Sequence, residues 1–421
     1  MSRERNPRSK GSRPSQKAGP GKGGKPGPRP APAPSGERRP ASRAQRAASA
    51  ASARKGYHAA PAPGAGPSAA RPPPVPPRVR APPLPREPLL PRAGRFLWTC
   101  RAGFEAHLFE ELAWAGAAPR LVAEALVESD VRAGLLPAFA RQGLRVLEAF
   151  APSAPEAAPA LLAGRLLGAV GKAPFALQAF TPDTAAANPL ASEAEALRDA
   201  VAAALPEGRV LAEPERARDA GGLLVSLVLA PGLLAVGSAP AREALSLAPG
   251  GRQRMRREAD APSRAAMKLE EALHALPLEP ARGDVCVDLG AAPGGWTQRL
   301  VARGARVIAV DPAKLLPELA RNPRVRHEQA SAFSYEPEEP VDWLFCDMAW
   351  RPLEVAQLLA KWGRRGWADQ LVANIKLPMD DKNPVLVRVR HTLEQDGGWQ
   401  GLRVRQLYHD RDEVTVTARR R

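Results

Sequence analysis

Residues 285–296 read VCVDLGAAPGGW, and this stretch decides the fold. Asp284–Leu289 reads as a short strand of the buried type, ended by an acid and a glycine. Gly290, Gly294 and Gly295 let the backbone turn tightly and approach a ligand before a helix opens at Trp296. The dinucleotide fingerprint G-x-G-x-x-G is absent, because position 292 is Ala and Pro293 follows. Proline lacks a backbone donor, so the turn is a poor pyrophosphate cradle. A Gly-rich turn preceded by the acid Asp288 suits a zwitterionic, partly cationic ligand instead.

Outward from this turn the chain alternates strand and helix. A helix is expected over Arg264–Leu276, before the first strand. Ala305–Val310 reads as the next strand and ends at Asp311, 21 residues after Gly290. An acid there can take both ribose hydroxyls of an adenosine. Turn and acid together point to S-adenosylmethionine; the competing reading is a structural turn with a chance Asp. Further strands are expected at Val341–Cys346, ended by Asp347, and at Gln370–Ile375, ended by Lys376. Helices are expected over Pro352–Trp362 and 383–395, then two closing strands at 401–407 and 413–418. This is an α/β, Rossmann-like open parallel sheet over 260–421, with ligands at its carboxyl edge.

Upstream, residues 95–250 alternate differently. A strand (Arg95–Arg101) runs into an amphipathic helix in FEAHLFEELAWAG, and a second strand is expected at Leu121–Glu128. Leu135–Val170 is Ala- and Leu-rich with helical spacing. Ala173–Thr181 reads as strand and Ser192–Leu205 as helix. Ala220–Ala241 carries no charge, near transmembrane length, but Pro231-Gly232 splits it into two strands and a turn. The region reads as α+β with ferredoxin-like units. Residues 252–268 are a basic connector.

The formal charge of +17 sits wholly in residues 1–94, which hold 20 Lys/Arg and three acids. The other 327 residues hold 41 basic and 41 acidic side chains, so a globally basic, histone-like protein is excluded. The first 94 residues also hold 22 of the 47 prolines, and Tyr57 is their one aromatic. Such a segment buries too little apolar surface to offset its ordering entropy, and disorder is expected over 1–94. Cys100, Cys286 and Cys346 lie far apart with no CxxC, against a zinc site or a disulfide framework. The start MSRERNPRSK has no apolar stretch after it, so a cytoplasmic location with no membrane span is expected.

Four charged residues converge on the carboxyl edge: Lys268 before the first strand, Asp347, Lys376, and Glu413 at the start of the last strand. Methyl transfer to an alcohol needs the hydroxyl deprotonated as it attacks. A lysine with an ordinary pKa of about 10.4 is a poor base at neutral pH, and a second cation or burial improves it. Lys268 can thus tune Lys376, with Asp347 orienting the ammonium and favouring a sulfonium. From spacing alone, an ordinary ion-pair network accounts for the four equally well.

The segments APSRAAMKLEEA, VDLGAAPGGWT, FCDM, NIKLPM and RQLYHDRDEVTV together resemble the ribosomal RNA large-subunit methyltransferase M family. That family is a branch of the FtsJ-like ribose 2′-O-methyltransferases. The resemblance covers about 95–421 and is densest over 260–418. It implies a Lys-Asp-Lys-Glu tetrad at Lys268, Asp347, Lys376 and Glu413, with Lys376 as general base. It implies cofactor contacts from Ser263, Ala292, Pro293, Gly294, Gly295, Asp311 and Asp347. It also implies a cytidine of 23S ribosomal RNA as target, free or in an assembling large-subunit particle, and a THUMP-like N-terminal half starting at CRAGFE. THUMP units grip structured RNA by shape and phosphate contacts. No metal is expected, since a sulfonium is already an activated electrophile. The family tends to place an acid after the third strand to meet the adenine amine. Here RHEQASAF puts Ala330 at that position, leaving Glu328 or a backbone carbonyl as substitutes.

Cys286 and Cys346 are expected in the core, as are Trp343, Trp362, Trp367 and Trp350, although Trp350 is also placed to flank a target nucleotide. Trp296 is beside the cofactor turn, and His409 is read as structural. Amine methylation usually carries Asn/Asp-Pro-Pro-aromatic at the fourth strand, where this chain has Asp347-Met348-Ala349-Trp350. Carbon methylation of pyrimidines needs a cysteine nucleophile, and neither sheet cysteine fits one. The reading outside enzymes is an RNA-binding assembly factor with an inactive methyltransferase fold; the intact tetrad argues against it.

Overall fold

The computed structural model describes residues 74–131, 136–253, 265–276 and 278–420. Ser263 and most of the basic tail lie outside the described residues. The N-terminal region forms one eight-stranded sheet: β1 (Phe96–Thr99), β2 (Arg120–Ala123), β3 (Leu126–Ser129), β4 (Gln142–Phe150), β5 (Phe175–Phe180), β6 (Val210–Leu211), β7 (Leu223–Ala230) and β8 (Leu233–Pro240). Their order across the sheet is β2-β3-β1-β4-β8-β7-β5-β6. Helices α1 (Glu105–Trp114), α2 (Pro159–Val170), α3 (Ala191–Ala204) and α4 (Pro214–Asp219) accompany it. The uncharged stretch is the β7–β8 hairpin, paired from Leu223↔Pro240 to Ala230↔Leu233. No described helix is long and apolar enough to cross a membrane.

Two expectations fail in part: helix α2 forms over Pro159–Val170 as expected, but the residues before it differ. The helical spacing over 135–170 conceals β4, a nine-residue strand held between β1 and β8. Ala and Leu suit helices on propensity alone, but pairing on both edges overrides propensity. Gly143 is required because Trp98 lies directly across the pair, its ring 2.5 Å from where a Cβ would stand. Disorder was expected through residue 94, yet 74–94 lie against the body. Leu89 and Gly94 donate backbone N–H to Val122 and Val146 at 2.9 and 2.8 Å. Pro77 takes the indole N–H of Trp114 at 2.8 Å. The buried Glu128 gathers Arg92 and Arg120, whose hydrogen bonds outweigh burial and hold its carboxyl below the usual range. These polar anchors order a segment that has little apolar surface of its own.

The second sheet contains β9 (Val285–Leu289), β10 (Arg306–Val310), β11 (Val325–Glu328), β12 (Val341–Cys346), β13 (Ala368–Lys376), β14 (Gln400–Arg405) and β15 (Glu413–Arg419), in the order β11-β10-β9-β12-β13-β15-β14. The first five are parallel; β15 returns antiparallel to β13, and β14 antiparallel to β15. Helices α5 (Ala265–His274), α6 (Gly295–Ala302), α7 (Pro317–Ala320), α8 (Pro352–Arg365) and α9 (Lys382–His391) complete it. One apolar core runs through both regions, joining Trp98, Leu108 and Phe139 to Ile375, Leu386 and Val389. Asn383 on α9 donates to Glu110 on α1 at 3.0 Å, and Gln406 N–H donates to the Ala138 carbonyl at 2.7 Å. The shared core sets a wall of the N-terminal region beside the carboxyl edge of the second sheet.

Candidate active site

Three neighbouring strand ends form the floor of the site. Gly290 follows β9, Asp311 follows β10 and Asp347 follows β12. Gly290 has φ +78°, and a Cβ on it would stand 2.8 Å from Met348 Cγ and 3.2 Å from Met348 Cα, so glycine is needed there. Gly294, at φ +119°, caps α6 and accepts from Gln298 N–H, and Gly295 is buried as that helix's first residue. The Pro293 carbonyl accepts from Leu316 N–H at 3.1 Å. Asp311 Oδ2 accepts the Ala292 N–H at 3.1 Å and Oδ1 that of Ala313 at 2.7 Å. Each carboxylate oxygen therefore keeps acceptor capacity, and the side chain is only half-buried.

Asp288, the acid inside the turn motif, does not face a ligand. It is buried and accepts the Thr297 hydroxyl at 2.7 Å, and burial pushes its carboxyl up to about 7. Strand alternation puts Asp288 on the face of Cys286, toward α6, which carries Thr297. Glu328 is paired with Arg326 on the same strand. The Ala330 N–H turns back to the Glu328 carbonyl at 2.8 Å.

The other half of the site is a charged cluster. The antiparallel register sets Lys376 on β13 opposite Glu413 on β15. Lys376 Nζ lies 3.5 Å from Glu413 Oε2. Lys268, from α5, bonds the other carboxylate oxygen. Lys268 and Glu413 are 12% and 8% exposed, whereas Lys376 is 36% exposed, so Lys376 is the ammonium that a substrate can reach. Burial pulls Lys268 down, but Asp347 and Glu413 outweigh it and leave it above an ordinary lysine; it stays a cation. Burial pushes Glu413 up, but Lys268 and Lys376 win and hold it ionised. Asp347 is raised by burial, with Lys268, Lys376 and the Asn374 amide opposing.

Lys268, Asp347, Lys376 and Glu413 all line one cleft of about 810 Å³. Arg101 and Asp183 of the N-terminal region, and Tyr408, His409 and Arg411 beyond β14, form its far wall. Glu271, one turn after Lys268 on α5, fixes that wall by accepting the backbone N–H groups of Tyr408 and His409 at 2.7 and 3.0 Å. His409 Nδ1 lies 2.8 Å from the same carboxylate, which holds the ring in that wall. Glu271 was not singled out from sequence, although its i, i+3 spacing from Lys268 places both on one helix face. Asn374, Thr415 and Asp410 also escaped notice.

Cys286 and Cys346 are fully buried, and burial raises both thiols, Cys346 to about 12. Neither is a nucleophile in that state. Trp343 and Trp362 pack inside, and Trp296 is buried with its N–H on the Ala265 carbonyl at 2.8 Å. Trp350 departs from the expected core position: it is 38% exposed, its N–H on Glu354 at 2.6 Å.

The acceptor set fits S-adenosylmethionine. Asp311 offers open carboxylate lone pairs to vicinal hydroxyls, Asp347 offers negative charge two strands away, and the glycine turn between them lets backbone approach. A family model described as FtsJ-like methyltransferase matches residues 261–360. A ribosomal RNA large subunit methyltransferase M from Edwardsiella ictaluri is 35% identical over 350 residues, covering 76% of this chain and 92% of the relative. One from Halorhodospira halophila is 48% identical over 177 residues, covering 41% of this chain and 51% of the relative, about half its length. Among solved structures, an S-adenosylmethionine dependent methyltransferase from Mesorhizobium loti matches 35% of this chain and 96% of its own, with 16% identity and a TM-score of 0.29, too low to add to the assignment. The coverage of the Edwardsiella relative, together with the turn and cleft described above, places this chain in the ribosomal RNA large subunit methyltransferase M family.

Proposed function

We propose that the protein methylates a ribose 2′-hydroxyl of a cytidine in 23S ribosomal RNA, with Lys376 as general base. The observation that carries this reading is the convergence of Lys268, Asp347, Lys376 and Glu413 on one cleft beside the glycine turn. When bound, S-adenosylmethionine supplies an electrophilic methyl group. Asp311 and the 292–295 turn would hold its adenosine end, and Asp347 would face its positive charge; Ser263 belongs to the same expectation from sequence. Lys376, as the neutral amine, takes the hydroxyl proton. Glu413 fixes the position of Lys376 from across the strand pair, and Lys268 balances the charge of the two carboxylates.

The exposed Arg411 and half-buried Arg101 on the far wall suit phosphates flanking a target nucleotide, free or in an assembling particle. The N-terminal sheet is then the part that holds RNA by shape, in the manner of a THUMP unit. The buried thiols and the Asp347-Met348-Ala349-Trp350 sequence argue against base methylation.

The test is Lys376→Ala. It should keep S-adenosylmethionine affinity and lose about 10²- to 10⁴-fold in single-turnover methyl transfer. Normal rates would remove Lys376 from the role. Cofactor binding by the wild type with no transfer to any RNA would favour an inactive assembly factor.

A further inference from the structure

Behind Asp347 runs a buried chain of side chains that the charged tetrad does not use. Asp347 Oδ1 accepts from Asn374 Nδ2 at 3.4 Å. Asn374 Oδ1 lies 2.7 Å from Thr415 Oγ1, and that hydroxyl lies 3.0 Å from Asp410 Oδ2. Asn374 and Asp410 are fully buried and Thr415 nearly so. Asn374 and Thr415 face each other across β13 and β15, two residues behind Lys376 and Glu413 and on the same face.

A threonine hydroxyl carries one proton. When Asn374 gives its amide N–H to Asp347, its carbonyl oxygen takes the Thr415 proton. The contact from Thr415 to Asp410 is then a hydrogen bond only if Asp410 is the donor, which requires a protonated carboxyl. As a hydroxyl, Asp410 Oδ2 still accepts the Leu407 N–H at 2.9 Å. The reverse polarity has Thr415 donating to an ionised Asp410 and Asn374 turned over. The Asn374 carbonyl then faces Asp347, which must carry the proton. With no proton on either carboxyl, two acceptors face each other somewhere along the chain. The chain therefore holds one proton for two carboxyls.

We propose that Asp410 carries this proton and that Thr415 and Asn374 transmit the resulting bond polarity, keeping Asp347 ionised as an acceptor at the cleft. Asp410, Thr415 and Asn374 are positioning residues. The surroundings favour this end. Burial pushes Asp410 up to about 8, against the Leu407 N–H and Lys268, and Glu413 adds to the rise. Among the described residues Asp410 Oδ1 has no hydrogen-bond partner, and Arg405 on β14 also faces the group. Arg101 reaches only the Asp410 backbone carbonyl, at 3.2 Å. Burial raises Asp347 as well, and Glu413 adds to the rise, but Asp347 faces both Lys268 and Lys376, which favour its charged form.

The test is carboxyl ¹³C NMR of the full chain labelled at Asp, without RNA, with Asp410→Asn and Asp347→Asn used only to assign the two signals. Near about pH 6.5 the Asp410 signal should be that of the acid and the Asp347 signal that of the carboxylate. Thr415→Val breaks the chain in the middle and should move the Asp347 titration to higher pH. Thr415→Ser keeps the hydroxyl and should restore it. The consequence for turnover rests on the function proposed above: Thr415→Val should lower kcat about tenfold near neutral pH, recovering as pH rises, with KM for S-adenosylmethionine unchanged. An ionised Asp410 at that pH, or an Asp347 titration indifferent to Thr415→Val, overturns the inference. The predicted NMR titrations with no methyl transfer by the wild type would sink the functional reading alone.

Discussion

Replacing Lys268 by Met removes one of the two ammonium groups that share Glu413 and leaves the alkyl stem in place on α5. Breaking a buried pair by deleting one partner costs about 3–5 kcal/mol, because the remaining charge stays in a poor solvent. Here the loss is smaller, since Lys376 still lies 3.5 Å from Glu413, although its exposure screens the attraction. We expect a destabilisation of about 2–3 kcal/mol near pH 8. The sign with pH follows from the two partners. Glu413 is held below its ordinary value, so its share is present above the unfolded pKa of about 4.5 and is lost as pH falls through the folded value. Lys268 is held above its ordinary value, so its share is present below about 10.5 and is lost as pH rises through the folded value. The difference between wild type and variant should therefore be full between about pH 5 and 10 and shrink on the acid side. Urea unfolding across that range measures it, and the core common to both regions makes a single transition the expectation. The double variant Lys268→Met, Glu413→Gln should recover most of the loss, because no unpaired charge remains. A loss below about 0.5 kcal/mol at pH 8, or one that does not shrink in acid, would refute the picture of Lys268 as a buried counterion.

Three further outcomes follow from the same site. Asp311→Ala should weaken S-adenosylmethionine binding by about ten- to a hundredfold, as expected for lost hydrogen bonds to a charged group, with kcat at saturation little changed; calorimetry with single-turnover rates checks both. Asp288 is raised to about 7, so its ionisation makes the wild type progressively less stable from about pH 4 to pH 7. Asp288→Asn should thus melt at a temperature that gains on the wild type as pH rises from about 5 to 8, and parallel melting curves would contradict this. Removing residues 1–73, which hold 16 Lys/Arg, should lower RNA affinity and flatten its dependence on salt; an unchanged slope in filter binding would make the tail a bystander.

The strand ends were legible because a parallel sheet converts sequence order into position. A buried run followed by Asp or Lys places that residue at the carboxyl edge whatever the loops do, which is how Asp311, Asp347 and Lys376 were found. Glu413 was placed at the same edge as the start of the last predicted strand, and the β13–β15 register sets it opposite Lys376. Asn374 and Thr415 share that register, yet they read as ordinary strand residues. Their importance depends on which side of β13 the last strand returns to, and period-2 spacing does not specify that. β4 was hidden because Ala and Leu satisfy a helical pattern, and only its two neighbours make it a strand. Residues 74–94 were misjudged from composition, since hydrogen bonds to Val122, Val146 and Glu128 hold them without a core of their own. Asp288 misled for a simpler reason: it sits in the motif, but its side chain points at Thr297.

Labelled methyl transfer onto unmodified 23S ribosomal RNA tests ribose methylation with Lys376 as general base most directly. The product is digested with alkali, because a 2′-O-methyl group blocks cleavage at its own linkage. Label retained in an alkali-resistant dinucleotide, and lost with Lys376→Ala, is the predicted result. Label released in ordinary mononucleotides would mean a methylated base and would contradict the account.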